Sequence, residues 1–231
     1  MIEIKNQELF KRVFHLHPQI HAKNLDKILG YRISKIEMKL LQEFQAYDKD
    51  VDKTNRKPHF QNAQTWIGLH PQALQTPYND IYETFLQLKD ESIKKVVDIG
   101  CAYGRVGIVM GHVFPQAQFI GYEIVKHRVQ EANRIFRRHD LHNCQVIHTN
   151  IFNPDVLFPE ADIYFIYDFG ETSDISNALM LILERMKSMR FFLIARGDRV
   201  ESILNKQVHI YWVQIASIST LKIYMPKWSI D

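Results

Sequence analysis

Strand and helix patterns alternate strictly from Lys94 onward, and this alternation limits the fold more than any other feature of the chain. The segments "KKVVDI", "AQFIGYEI", "NCQVIHTN", "ADIYFIYDF" and "MRFFLIARGD" predict buried strands, and those between them, such as "KHRVQEANRIFRRHD" and "DISNALMLILERMK", predict helices. Repeated strand–helix units form a parallel sheet with helices on both faces. The two last segments, "QVHIYWVQIA" and "STLKIYMP", predict an antiparallel hairpin. We therefore predict an α/β fold with a doubly wound, mostly parallel, seven-stranded sheet.

The N-terminal third follows a different pattern. Apolar residues three and four positions apart predict helical structure up to about residue 47. The charged stretch 48–60, broken by Pro58, predicts a linker or exposed turn. A short helix is predicted over 80–88, with Asn79 or Asp80 as its cap. The predicted organisation is a helical extension and linker, 1–75, followed by an α/β domain, 76–231.

Composition excludes several classes of protein. Apolar residues make up 46% and charged residues 24%, as in ordinary globular proteins, and the formal net charge of +3 comes without a basic block. The first residues lack the apolar core of a secretory signal, and no run of about 18 apolar residues occurs. Cys101 and Cys144 suit neither a disulfide framework nor a zinc knuckle. We expect a cytoplasmic protein, with no metal at the histidines of "HLHPQIH".

A glycine-punctuated turn follows the first predicted strand of the alternating region. It reads Asp98-Ile-Gly100-Cys-Ala102-Tyr-Gly104, and a helix follows. Glycines permit a tight turn and a close ligand approach, and the first N–H groups of the helix then face the ligand. Glu123 lies 23 residues after Gly100, at the end of the second strand, where an acid can accept from both ribose hydroxyls. The pattern predicts a site for an adenosine-bearing ligand.

Details of the turn discriminate between such ligands. A dinucleotide fingerprint requires G-x-G-x-x-G, but this chain has Ala102 at the middle glycine. Asp98 would repel a pyrophosphate, whereas it suits a ligand with a cationic amino group, as methionine has. No G-K-[ST] follows, which excludes a Walker P-loop.

The segment "VVDIGCAYGRVG" resembles motif I of the class I S-adenosylmethionine-dependent methyltransferases, and "FIGYE" resembles the acidic strand that follows in that family. The resemblance covers about 75–231 and implies the cofactor S-adenosylmethionine. It implies that Asp98 orients the methionine part, that the turn from Gly100 through Ala102 to Gly104 passes beneath it, and that Glu123 holds the ribose. Asn150 replaces the acid that in this family contacts the adenine amine, and its side-chain oxygen could accept from that amine.

The methyl acceptor is predicted to lie beyond the fourth strand, because ligands bind at the carboxyl ends of such strands. The Asn-Pro-Pro-Tyr motif of many DNA and glutamine methyltransferases is absent there. Residues 149–184 contain seven acids and no lysine or arginine, which favours a cationic partner, although a solvated acidic face gives the same pattern. "LQTPYNDIYETFLQL" resembles the segment before motif I in non-SET protein lysine methyltransferases. We predict an amine acceptor, with a protein lysine as one candidate; Tyr78 would line its channel, and Asp168 or Glu171 would attract the cation.

Two alternatives stay open. The chain could be a methyltransferase-like binding module without activity, because Ala102 and Asn150 depart from the family pattern. It could also be a nicotinamide-dependent oxidoreductase, although no Tyr-x-x-x-Lys pair is found at the expected place. A nucleic-acid partner is not suggested by the overall charge, but the basic helix over 126–142 could face one.

Overall fold

The computed structural model describes residues 8–44, 64–207 and 210–230. Seven strands form one sheet in the order β3-β2-β1-β4-β5-β7-β6. The strands are β1 (Lys95–Ile99), β2 (Gln118–Glu123), β3 (Cys144–His148), β4 (Ile163–Tyr167), β5 (Phe192–Arg196), β6 (Trp212–Ile218) and β7 (Leu221–Pro226). The first five are parallel, and β7 runs antiparallel to both β5 and β6. The predicted α/β fold, with its antiparallel C-terminal hairpin, is confirmed.

The chain order reverses between β1 and β4, which lie side by side at the centre of the sheet. Ligands in open α/β sheets bind at such a switch point, outside the carboxyl ends of the strands. Register places Asp98 of β1 opposite Gly121 of β2 and Phe165 of β4. The turn that follows β1 therefore lies at the switch point.

Helices cover both faces of the sheet. They are α1 (Pro18–Leu29), α2 (Ile33–Phe44), α3 (Tyr78–Leu86), α4 (Arg105–Val113), α5 (Lys126–Arg138), α6 (Thr172–Arg185) and α7 (Asp198–Gln207), with short 3-10 turns at Pro71–Ala73 and Lys227–Ser229. One apolar core joins the sheet to α1, α3, α4 and α5, and the other joins it to α6 and α7. Strands buried on both faces read as continuous apolar runs, which is why β1 and β4 could be predicted.

Three elements differ from the sequence prediction. The N-terminal helical pattern is divided in two, because Gly30 ends α1 in the left-handed conformation (φ 85°). Helix α3 begins at Tyr78, directly after Pro77, so Asn79 and Asp80 lie inside the helix and do not cap it. Helix α7 was not predicted. The predicted linker over 48–60 lies outside the described residues.

Both cysteines are free, buried thiols. In the part of the chain that the structure describes, no helix is long and apolar enough to span a membrane.

Candidate cofactor cleft

A cavity of about 310 Å³ opens at the carboxyl ends of the central strands, a volume near the lower end of the usual range for small-molecule sites. Its walls come from the turn after β1, the ends of β2, β3 and β4, and a segment that precedes α3. They include Ile99, Gly100, Ala102, Tyr122, Glu123, Arg128, Asn150, Phe152, Tyr167, Asp168, Phe169, Asp174 and Arg199. Gly100, Ala102, Glu123 and Asn150, four of the six predicted cofactor residues, therefore lie together in one cleft.

Backbone conformation explains the glycines of the turn. Gly100 and Gly104 have φ of 72° and 73°, and Ala102 also has a positive φ of 47°. The N–H groups of Gly100 and Cys101 both donate to the carbonyl of Tyr122, at 2.9 and 3.0 Å. A Cβ at Gly100 would overlap the side chain of Phe169. The turn thus needs glycine both for its conformation and for the close approach of Phe169.

Glu123 forms part of the cavity wall, and each of its carboxylate oxygens accepts one backbone N–H. Ala102 donates to Oε2 at 3.0 Å, and Val125 donates to Oε1 at 2.8 Å. Burial raises the pKa of Glu123, while the charge of Arg128 and the two backbone donors oppose that rise. A carboxylate oxygen can accept more than one hydrogen bond, so Glu123 retains capacity for hydroxyl donors of a ligand.

Asp98 lies beneath the cleft at the end of β1, 4% exposed. It does not itself line the cavity, whose wall starts at Ile99. Burial raises the pKa of Asp98 well above its ordinary value, and the neighbouring charge of Glu123 adds to this rise. Among the described residues, no side chain or backbone donor forms a hydrogen bond with its carboxyl group. A buried carboxylate of this kind would be stabilised by a cationic ligand group.

Two other predicted cofactor residues have local structural roles. The Asn150 side-chain oxygen accepts from the backbone N–H of Phe152 at 3.0 Å, which fixes the turn after β3. Gly104 is not part of the cavity wall; a Cβ there would lie 2.8 Å from the ring of Phe136 in α5. Gly104 therefore permits close packing of the turn on α5.

The predicted acceptor acids stabilise helix N-termini. Asp168 lines the cavity, but its oxygens accept from the backbone N–H groups of Arg199 (3.2 Å) and Val200 (2.9 Å) in the first turn of α7. Burial raises the pKa of Asp168, and these two donors oppose the rise. Glu171 forms a capping box with Asp174 at the start of α6. These contacts give both predicted acids a structural role, and a role in attracting the acceptor stays a prediction.

The structure places Tyr78 away from the cleft. Its side chain is fully buried, and the residue is absent from the cavity wall. Its hydroxyl donates to Asp26 Oδ1 at 2.9 Å, and the guanidinium of Arg105 lies 4.9 Å from its ring centroid. Because Tyr78 begins α3, which packs inward on α1 and α4, its ring points into the core rather than into a channel.

The acidic stretch over 149–184 also has mostly structural contacts. Asp162 accepts from the backbone N–H groups of Lys94 (2.7 Å) and Lys95 (2.8 Å), which orders the entry to β1. Glu160 pairs with Arg185 at 3.2 Å. The concentration of acids is thus explained largely by folding, and it is weaker support for a cationic acceptor than the sequence alone indicated.

A segment that no sequence pattern assigned to the site covers the cleft. Residues 64–75, here the cover segment, contribute Gln64, Thr65, Trp66, Leu69, Ala73 and Leu74 to the cavity wall. The indole Nε1 of Trp66 donates to the carbonyl of Phe169 at 3.1 Å, and the guanidinium of Arg199 lies 4.7 Å from the Trp66 ring centroid. The Tyr167 hydroxyl donates to the carbonyl of Ala73 at 2.9 Å. A tryptophan within a proline-containing, non-periodic stretch was the only sequence signal available.

Comparison with known proteins agrees with this geometry. A family model described as "Putative methyltransferase" matches residues 92–164, from β1 into β4. The "Uncharacterized protein RP789" of Rickettsia prowazekii (strain Madrid E) is 28% identical over 96 residues, and the match covers 40% of this chain and 17% of that protein. The chain thus corresponds to a small part of that relative's length.

Solved structures share the fold at low sequence identity. The methyltransferase PaMTH1 of Podospora anserina, solved with S-adenosylhomocysteine bound, has a TM-score of 0.54 at 9% identity, and the match covers 83% of this chain and 93% of that chain. A precorrin-6y C5,15-methyltransferase from Geobacter metallireducens GS-15 has a TM-score of 0.51 at 18% identity, covering 66% of this chain and 89% of that one. The family model over residues 92–164 and the shared fold both make this chain similar to known methyltransferases.

Proposed function

We propose that the chain binds S-adenosylmethionine in this cleft and transfers its methyl group to an amine. Glu123 would hold the ribose hydroxyls, the turn from Gly100 to Ala102 would pass beneath the ligand, and Asn150 would border the adenine. The residues fit the group, because Glu123 in the cavity wall can accept further hydrogen bonds, and Asp98 beneath the cleft has no donor among the described residues.

The observation that carries this proposal is the state of the Asp98 carboxyl group. It is buried, it lies near Glu123, and it has no hydrogen-bond donor within the described residues. Such an arrangement costs free energy unless a cation approaches or a proton binds. The ammonium group of a methionine moiety supplies that cation, whereas the pyrophosphate of a nicotinamide dinucleotide would add negative charge.

When bound, the cofactor supplies an electrophilic methyl group: the amine lone pair forms the new N–C bond, the C–S bond breaks, and its electron pair stays on sulfur. The chain must then align the amine and favour its unprotonated form. Trp66, Tyr167 and Phe169 line the cavity together, and its wall is largely apolar. An apolar surrounding lowers the pKa of an amine, because it disfavours the ammonium form.

The aromatic side chains of Trp66 and Tyr167 favour an amine over other methyl acceptors. Ammonium groups, methylated or not, are attracted to the faces of Trp and Tyr rings. In this cleft the ring faces of Trp66 and Tyr167 are stacked by Arg199 and Arg196, at 4.7 and 4.3 Å from the ring centroids. An incoming cationic amine would therefore take the place of these arginines at the ring faces. A protein lysine has the slender chain that such a cavity admits.

A labelled-methyl assay tests the proposal. The protein would be incubated with S-adenosylmethionine carrying an isotopic methyl group and with three acceptor pools: proteins, nucleic acids and small amines from a cell extract. Label transferred to the protein pool, and removed by protease, supports a lysine acceptor. Absence of label in all three pools, from protein that binds the cofactor, would favour the non-catalytic alternative.

A second candidate is an acceptor amine carried by a nucleic acid. Basic side chains line both sides of a groove between α2 and α5, namely Lys35 and Lys39 on α2, Arg32 directly before it, and His127 and Arg134 on α5. Among the described residues that line this groove, Glu131 is the one acid, and it pairs with Arg134 at 2.7 Å. Basic rows of this kind suit a phosphate backbone. Nuclease-sensitive label in the assay, lost with the paired charge reversals Lys35→Glu and Lys39→Glu, would favour this candidate.

A further inference from the structure

The N-terminal helices are joined to the cofactor cleft through one buried carboxylate. Glu37 of α2 is 6% exposed. It accepts from the Tyr103 hydroxyl at 2.7 Å and from Nε and Nη2 of Arg128 at 2.8 and 3.1 Å. Its partners lie 66 and 91 residues away along the chain. Glu37 therefore connects α2 to distant parts of the chain and makes no local helix contact through these bonds.

One partner of Glu37 lines the cavity, and the other lies in the turn that borders it. Tyr103 lies within the turn after β1, between Ala102 and Gly104. Arg128 lines the cavity, and its charge opposes the rise in the pKa of Glu123. Arg128 also donates through Nη1 to the carbonyl of Thr65, in the cover segment, at 2.7 Å. Glu37 thus bonds Tyr103 in the turn after β1 and Arg128 in the cavity wall, and through Arg128 it is connected to the cover segment.

A second contact from the extension reaches the same turn. The hydroxyl of Tyr31, in the loop between α1 and α2, donates to the carbonyl of Tyr103 at 3.0 Å. Because Tyr103 is bonded through both its hydroxyl and its carbonyl, the position of the turn depends on the docking of the extension. Without Glu37, the buried Arg128 would lose its two charged hydrogen bonds, while the charge of Glu123 would still act on it.

We propose that Glu37 is a positioning residue for the cofactor site, and that docking of α2 and binding of the cofactor stabilise each other. This inference rests on the proposed function for the identity of the ligand. Coupling between two sites is reciprocal, so weakening the Glu37 contacts weakens cofactor binding, and bound cofactor must in turn hold α2 more firmly on the domain.

Substitutions of Glu37 can be used to distinguish a coupling to cofactor binding from a purely structural role of this residue. Glu37→Ala and Glu37→Gln would be compared with Arg12→Ala in titrations with S-adenosylhomocysteine. Arg12 also fixes the extension to the domain, through Glu83 (2.9 Å) and Asp80 (3.1 Å), but it and its partners are absent from the cavity wall. We expect Glu37→Ala to weaken binding about tenfold, within the usual range for coupled sites. Glu37→Gln should weaken it less, and Arg12→Ala should leave it unchanged.

Hydrogen exchange of the unaltered protein provides a measurement that requires no variant. S-adenosylhomocysteine should slow amide exchange in α2 as well as in the cleft. Equal affinity in Glu37→Ala and the unaltered protein, or unchanged exchange in α2 while the cleft is protected, would overturn the coupling. A Glu37→Ala variant that does not fold leaves the decision to Glu37→Gln and to the exchange data. Failure of the unaltered protein to bind S-adenosylhomocysteine would refute the proposed function itself, which is a different result.

Discussion

The indole Nε1 of Trp66 donates to the backbone carbonyl of Phe169 at 3.1 Å, across 103 residues of chain. Phe169 follows β4 and packs against Gly100, whereas Trp66 belongs to the cover segment. This bond therefore joins the cover segment to the loop that follows β4. The stacked Arg199 side chain reinforces the contact from the N-terminus of α7.

Replacing Trp66 by Phe should loosen the cover while keeping an aromatic ring in the cavity. A neutral hydrogen bond contributes about 1 kcal/mol, so we expect a small decrease in stability and a several-fold weaker binding of S-adenosylhomocysteine, measured by calorimetry. Trp228→Phe is the matched control, because Trp228 donates in the same way to the carbonyl of Met189 (3.0 Å) and is absent from the cavity wall. Equal effects of the two substitutions on affinity would refute a role for the cover segment.

Asp98→Asn should stabilise the unliganded protein at neutral pH and abolish cofactor binding. Burial raises the pKa of Asp98 in the folded state, so the folded protein holds this proton more tightly than the unfolded chain does. Ionisation of the buried Asp98 therefore lowers the free energy of unfolding. This loss is absent below the pKa of Asp98 in the unfolded chain and grows as the pH rises through its pKa in the folded protein. The gain in melting temperature should therefore disappear in acid.

Asp162→Asn is the control for this substitution, because Asp162 accepts two backbone N–H groups and its replacement should lower the melting temperature instead. Cofactor affinity of the unaltered protein should fall on acidification as the proton competes with the ligand cation. A variant Asp98→Asn that still binds S-adenosylmethionine with full affinity would remove Asp98 from the site.

Asp168 accepts hydrogen bonds from α7, and it also places a negative charge in the cavity wall. The substitutions Asp168→Ala and Asp168→Asn separate these two roles. Loss of both hydrogen bonds to α7 in Asp168→Ala should cost about 1–2 kcal/mol, as for other helix caps. It should also reduce methyl transfer while sparing cofactor affinity, because Arg199, which lines the cavity, loses its bond to Asp168. We expect Asp168→Asn to keep most of the activity, since its amide oxygen still accepts a hydrogen bond. Equal loss of activity in both variants would show that the negative charge itself is required.

The features of the fold and of the site that could be predicted from the sequence are those that depend on neighbouring residues in the chain. Buried strands such as β1 and β4 give continuous apolar runs, and Gly100 is needed where the backbone has a positive φ. Glu123 could be placed because strand length and turn length fix its distance from the turn. These features depend on neighbours in the sequence, and the structure confirms the fold that they indicated.

The parts that could not be predicted depend on long-range contacts. Whether Tyr78 faces the cleft or the core is decided by Asp26 and Arg105, both distant in sequence. The sequence alone predicts that Asp168 attracts a cationic acceptor, because the two backbone donors that it binds in α7 are 31 and 32 residues away. The cover segment has no periodic pattern, because its contacts to Phe169 and Tyr167 are made by single residues.

Calorimetric titration with S-adenosylmethionine, S-adenosylhomocysteine and NAD in parallel shows which ligand this cleft binds. The Asp98 carboxyl group, which has no donor among the described residues, and the acceptor capacity of Glu123 predict binding of the first two ligands, with dissociation constants in the micromolar range, and no binding of NAD. Binding of NAD in their place, or of none of the three, would contradict the assignment of this cleft to S-adenosylmethionine.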